Sequence, residues 1–258
     1  MGLTKTSIGI VGGMGPAAGI DLSAKLVSQT LAANDQEHLP FVLFSFPDEI
    51  GDRSEYVQGK IKENPGLAIG AVLMKMEQAG AVVAGMACNS AHIPEIYDAV
   101  MEVLARNNSR LGVLHMIKEV GKFIRTNYPG KTRAGILGTS GTYFSGLYDI
   151  LSENGLEVIN VSEGEQEILH SAMYHPGYGI KSLPRGVSAK ALDILHGTAG
   201  SLKRRGAEVL VFACTELSVL YGEHLLEGLP VVDSNMVLAR ALIHAFAPEK
   251  LRAWQPGT

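Results

Sequence analysis

The sequence predicts an α/β fold of two pseudo-symmetric lobes with mainly parallel sheets and an active site in the cleft between them. Three observations predict it. Short apolar runs rich in Val, Ile and Leu alternate with longer segments of helical periodicity. The runs are continuous rather than alternating in polarity, as strands covered on both faces require. Two blocks also recur at one separation. Gly9–Gly15 (GIVGGMG) resembles Gly135–Gly141 (GILGTSG), and Gly80–Val83 leading to Cys88 resembles Gly206–Val209 leading to Cys214, each 126 positions on. A third block, Leu111–His115 against Leu229–Asp233, fits a slightly shortened second half. Each half then forms one lobe carrying one cysteine. A barrel of two half-barrels also fits about eight strands. Two lobes are preferred, because both cysteines and both glycine-rich turns follow strands at their carboxyl ends, where open α/β sheets bind ligands.

In chain order, strands are expected at Ser7–Val11, Phe41–Phe46, Ala81–Met86, Leu111–Leu114, Ala134–Leu137, Leu156–Val161, Val209–Ala213 and Val231–Val232. Helices are expected at Ala17–Leu31, Leu67–Gln78, Pro94–Arg106, Ile117–Thr126, Ala189–Lys203 and Met236–Phe246. His170 and His175 are expected to flank a loop. The expected lobes are residues 1–115 with 216–258, carrying Cys88, and residues 116–215, carrying Cys214.

Composition narrows the function. The chain has 258 residues, 46% of them hydrophobic, which suffices for real cores. Net charge is −4 with no basic run, so no nucleic-acid partner is expected. No apolar stretch is long enough to cross a bilayer, and the N-terminus lacks the pattern of a signal peptide. Gly2 with Thr6 meets the loose myristoylation pattern, but a core strand from Ser7 would leave no room to present a lipid. The expected location is the cytoplasm, where the two cysteines stay reduced. No CxxC or HExxH pattern is present among the cysteines and histidines, and no metal is expected.

The chemistry centres on Met86–His92 (MACNSAH) and Phe212–Glu216 (FACTE). Each cysteine ends an apolar strand. Asn89 or Ser90, and Thr215, can cap a following helix, with Glu216 in its first turn. A helix N-terminus would favour thiolate over thiol. A lone cysteine would read as a small buried hydrophobe; two at equivalent points of a duplicated lobe read as a functional pair. Racemisation suits such a pair, since one group takes the α-proton from one face while the other returns a proton to the opposite face. Backbone N–H groups of the turns after Val11 and Leu137 could hold a carboxylate as charge grows on it, with Asn89, Ser90, Thr139, Thr142 and Thr215 as side-chain donors and Met14 lining the first turn. That turn lacks the Lys-Ser/Thr of a P-loop and is only a partial GxGxxG. His92 could orient a neighbour, though a satisfied core position suits it better.

The motifs GGMGP, CNSAH and ACTEL together resemble the aspartate/glutamate racemase family, nearest its aspartate racemase branch. The resemblance implies two similar α/β lobes, no pyridoxal phosphate or other cofactor, and a homodimer. It implies that Cys88 and Cys214 are the proton donor and acceptor, and that Asn89, Ser90, Thr139 and Thr215 contact the α-carboxylate and ammonium. Arg53, in a loop similar to the family's Pro-Asp-Arg-Thr, and Lys181, after Tyr178-Gly179-Ile180, are implied to pair with a second substrate carboxylate. Glu216 stands where cell-wall glutamate racemases usually carry histidine, which argues against that branch. The competing readings are a relative with other chemistry (decarboxylase, maleate isomerase or hydantoin racemase) and a nucleotide-binding module built on Gly12–Gly15.

Overall fold

The computed structural model describes residues 6–12, 14–182, 186–220 and 224–255. Gly2 and Gly13, named above, lie outside them. The chain divides into two compact units, Met1–Glu119 with Asn235–Ala253, and Val120–Ser234 with Trp254–Thr258.

The first unit runs β1 (Ser7–Val11), α1 (Pro16–Gln29), β2 (Phe41–Phe44), α2 (Arg53–Val57), α3 (Pro65–Gln78), β3 (Ala81–Met86), α4 (Pro94–Arg106) and β4 (Gly112–Val113). Its four strands are parallel in the order β2-β1-β3-β4. β1 is buried throughout and β3 nearly so, because helices cover both faces. β2 lies at the edge and stops at Phe44, short of the expected Phe46. Its partner β1 ends opposite, at Val11, where the chain turns away. Ile8, Ile10, Leu22, Ile69, Leu73 and Met76 are buried completely. Helix α1 approaches β1 closely through a glycine pair: a Cβ on Gly19 would sit 2.5 Å from the Gly12 Cα.

Helix α5 (Met116–Asn127) leads into β5 (Arg133–Gly138), α6 (Ser140–Phe144), β6 (Glu157–Ile159), α7 (Glu163–Tyr174), α8 (Ala189–Arg204), β7 (Val209–Ala213), α9 (Thr215–Leu220), β8 (Leu225–Leu226), β9 (Leu229–Asp233) and α10 (Ser234–Phe246). The second sheet has the order β6-β5-β7-β9-β8. Among its described strands only β8, at the edge, pairs antiparallel; elsewhere Thr30 and Leu251 form an isolated antiparallel bridge. Without it the order repeats that of the first sheet, strand for strand. Leu137, Leu169, Leu202, Leu210 and Phe212 form the centre of this unit's core.

One expectation needs correction here. His170 does not border a loop; it lies inside α7, and only His175, the residue after that helix, leaves it. Ser162 and Glu165 form a reciprocal capping box that starts α7. Among the described residues no helix is long and apolar enough to cross a membrane.

Candidate active site

In both sheets the strand order reverses between two neighbours, β1 and β3 in one, β5 and β7 in the other. The carboxyl ends flanking such a reversal splay their loops apart and leave room for a ligand. The chain puts its turns and cysteines there.

In the first unit the turn after β1 enters α1 with Pro16 at its start, where a missing N–H costs nothing. Met14 is buried, and its carbonyl accepts a bond of 2.9 Å from Arg53 Nη2, while Arg53 Nη1 donates to the Gly51 carbonyl at 3.1 Å. Arg53 is buried and not a solvated surface charge. Asp52 precedes it as the cap of α2, accepting from the N–H groups of Ser54 and Glu55. Cys88 follows β3 as a free thiol, 7% exposed, with its Sγ 3.3 Å from Ser90 Oγ. Ala87 N–H donates to the Val11 carbonyl, which ties the cysteine segment to the end of β1. Asn89 is buried.

The segment after Cys88 corrects the expected helix N-terminus. Asn89–His92 is a four-residue 3-10 turn without a side-chain cap, and α4 starts only at Pro94. So short a turn carries little aligned dipole to favour a thiolate. His92 is a buried core residue whose Nδ1–H donates to the Cys88 carbonyl at 2.9 Å, while its Nε2 is left without a hydrogen-bond partner among the described residues. Burial, and then the neighbouring His115, push its pKa down to about 3, so the ring is neutral.

In the second unit Thr139 caps α6, accepting from Thr142 N–H at 3.4 Å, and the two hydroxyls lie 3.3 Å apart; both side chains are buried. Cys214 is free and 5% exposed. Its Sγ donates to Glu216 Oε2 at 3.1 Å, and Thr215 Oγ1 donates to the same oxygen at 3.4 Å. Thr215 is the first residue of α9 rather than the residue before it. The other oxygen, Oε1, lies 2.7 Å from Lys181 Nζ. Lys181 follows a tight turn in which Gly179 meets the His175 backbone so closely that any Cβ would collide.

The electrostatics here also depart from expectation. The α9 terminus was expected to favour a thiolate. Instead burial, and then the Glu216 carboxylate, push the Cys214 thiol well above its usual value, with Lys181 opposing. Burial works against the charge on Glu216, but Lys181 and the donated bonds keep its carboxyl below the usual range. Burial likewise disfavours the Lys181 ammonium, yet Glu216 and Cys214 hold its pKa well above normal. Tyr148, fully buried, is also raised, first by burial and then by Cys214 and Asp233.

Three residues of this site were not anticipated. Gln166, His170 and Tyr174 stand four apart on one face of α7. Gln166 Nε2 donates to the Gly138 carbonyl at 3.0 Å, and His170 Nδ1 accepts from Ser140 N–H at 3.3 Å. The Tyr174 ring stacks on His170 and lies 5.0 Å below Lys181 Nζ. The helix face thus ties the turn after β5 to the Lys181 turn. The Ser162–Glu165 capping pattern would have revealed α7, and with it this spacing.

Comparison with known proteins follows this geometry. The sequence model of a family described as Asp/Glu/Hydantoin racemase matches residues 11–242. Among solved structures, the aspartate racemase of Picrophilus torridus is 28% identical, with a TM-score of 0.76 over 93% of this chain and 94% of that one. An aspartate racemase homologue from Pyrococcus horikoshii OT3 is 21% identical, with a TM-score of 0.71 over 93% and 99% of the two chains. The glutamate racemase of Francisella tularensis, solved with D-glutamate, is 14% identical, with a TM-score of 0.61 over 98% and 86%. The latter two share the fold.

Proposed function

The chain belongs to the Asp/Glu/hydantoin racemase family, and from that premise we propose that it interconverts L- and D-aspartate, and also glutamate, by proton exchange between Cys88 and Cys214 without a cofactor. One observation carries the reading. Each unit sets one free cysteine at the equivalent point of its own sheet, after the strand on one side of the reversal and next to the turn that follows the neighbouring strand on the other side. A duplicated site with one thiol per copy matches a reaction that needs one acid and one base.

In the proposed step a thiolate takes the α-hydrogen as a proton. The Cα–H bond breaks, S–H forms, and the electron pair delocalises into the substrate carboxylate. The opposite thiol then breaks its S–H bond and protonates Cα on the other face, which inverts the centre. The growing carboxylate charge falls to the N–H groups of the turn at Met14 and to Asn89, Ser90, Thr139, Thr142 and Thr215, where directed dipoles stabilise it. Arg53, the buried cation beside the Met14 turn, takes the side-chain carboxylate. The working form is a cytoplasmic homodimer, whose mass light scattering would measure.

The test is chiral chromatography of each pure enantiomer in heavy water, with dialysed protein and no added pyridoxal phosphate. Conversion should bring one α-deuterium into the product. Cys88→Ala and Cys214→Ala should each lower the rate by roughly a hundredfold or more. Undiminished racemisation in either variant would refute the two-thiol reading.

A further inference from the structure

The resemblance implies Lys181 as a ligand of the substrate side chain, and the sequence sets Glu216 in the first turn after Cys214. The structure connects them into one chain of contacts. Lys181 Nζ lies 2.7 Å from one oxygen of Glu216, and the other oxygen accepts the Cys214 thiol at 3.1 Å. An ionised carboxylate has no proton to give. The contact therefore exists only while the sulfur carries its own. Once deprotonated, the thiolate would face a like charge at contact distance at a buried sulfur, where such repulsion is poorly screened. Lys181 supplies the balancing charge on the far side of the carboxylate.

The other titratable groups around this chain add little charge. Tyr148 faces Cys214 as a neutral phenol, with Asp233 beyond it at the end of β9. Tyr174 lies under the ammonium, and His170, its pKa lowered by burial and then by Lys181, stacks against that ring. The Lys181 ammonium is held between the carboxylate and the tyrosine face, and is mostly withdrawn from solvent.

We propose that Glu216 is a positioning residue that holds Cys214 as the proton-bearing thiol of the resting protein, and that Lys181 keeps Glu216 ionised and turned toward the sulfur instead of binding a second substrate carboxylate. Cys214 is then the resting proton donor, and Arg53 alone of the two expected cations serves the substrate side chain. The inference rests on the proposed racemisation only in giving the Cys214 proton a destination. Its protonation can be measured without substrate.

The experiment follows alkylation of the full chain by iodoacetamide across pH, reading the Cys214 and Cys88 peptides separately by mass spectrometry. Glu216→Gln should move the Cys214 midpoint down, with alkylation at neutral pH faster by at most roughly tenfold for each pH unit of the shift. Lys181→Met should move it up. Glu216→Asp, which keeps the charge, should stay near the wild type, and the Cys88 midpoint should not follow any of the three. Steady-state kinetics add a second readout: Lys181→Met should lower kcat more than it raises KM. Shifts of Glu216→Gln and Lys181→Met in the same direction, as a loosened fold would give, would overturn the proposal. So would an unmoved Cys214 midpoint in Lys181→Met together with a raised KM, which would return Lys181 to the substrate. If Glu216→Gln does not fold, the upward shift in Lys181→Met still has to appear. A failed racemase assay with these shifts intact would count against the activity, not against this charge arrangement.

Discussion

His92 shows how one residue near the site couples its chemistry to stability. Its folded pKa of about 3 lies below the value of about 6.5 expected in the unfolded chain. As pH falls, the unfolded chain therefore takes up the proton first. The stability that neutral His92 supplies is complete above about pH 6.5, and it drains by up to about 1.4 kcal/mol per unit as pH falls toward the folded value. Urea titrations across that window should show the slope, and His92→Asn, which keeps a donor for the Cys88 carbonyl, should flatten it by up to one proton. Equal slopes in the two proteins would mean that the ring titrates elsewhere. The sequence placed both cysteines at strand ends but not the ionisation of Cys214, because that depends on burial and on Glu216 and Lys181, which lie 35 positions apart in the chain.

At the scale of elements, continuous apolar runs were the readable signal. β1, β3, β7 and α4 have the bounds that the residues alone suggested. The two-residue strand β8 was not readable, since it is an edge pairing of Leu225 and Leu226 with neighbours a few positions on. Helix α7 is legible only at its start: its polar first turn hides the apolar stripe, although Ser162 and Glu165 announce it. The glycine contact between α1 and β1 makes a sharper claim. Gly19→Ala would drive a methyl group into the Gly12 backbone, and we expect a loss of about 1–3 kcal/mol in denaturant unfolding. Ser145 stands at the corresponding place in the second half, after the five-residue α6, and its hydroxyl bonds only the local Thr142 carbonyl among the contacts described. Ser145→Ala should change stability by no more than about 0.5 kcal/mol. Equal losses would show that the two turns are packed alike.

For the whole molecule, the repeat at one offset was the most telling feature of the sequence, and the two sheets reproduce it in strand order. The first unit is closed by a segment from the far part of the chain. That unit is discontinuous, and its last part, Asn235–Ala253, returns after the second unit is complete. Leu238 packs on Gly85 of β3, Asn235 Nδ2 donates to Asp21 and to the Ala18 carbonyl, and Arg240 bonds Gln29 and the Arg252 carbonyl. A chain ended after Asp233 should lose hydrogen-exchange protection in β1 and β3 while β5 and β7 keep most of theirs. Uniform loss in both sheets would contradict that division. The same arrangement bears on biosynthesis. A nascent chain leaves the ribosome with the strands of its first sheet and α1, α3 and α4 made, but not α10, which packs on β3. The later-encoded sheet, continuous in sequence, can settle first. The first unit, though translated first, is complete only once Asn235–Ala253 has been made.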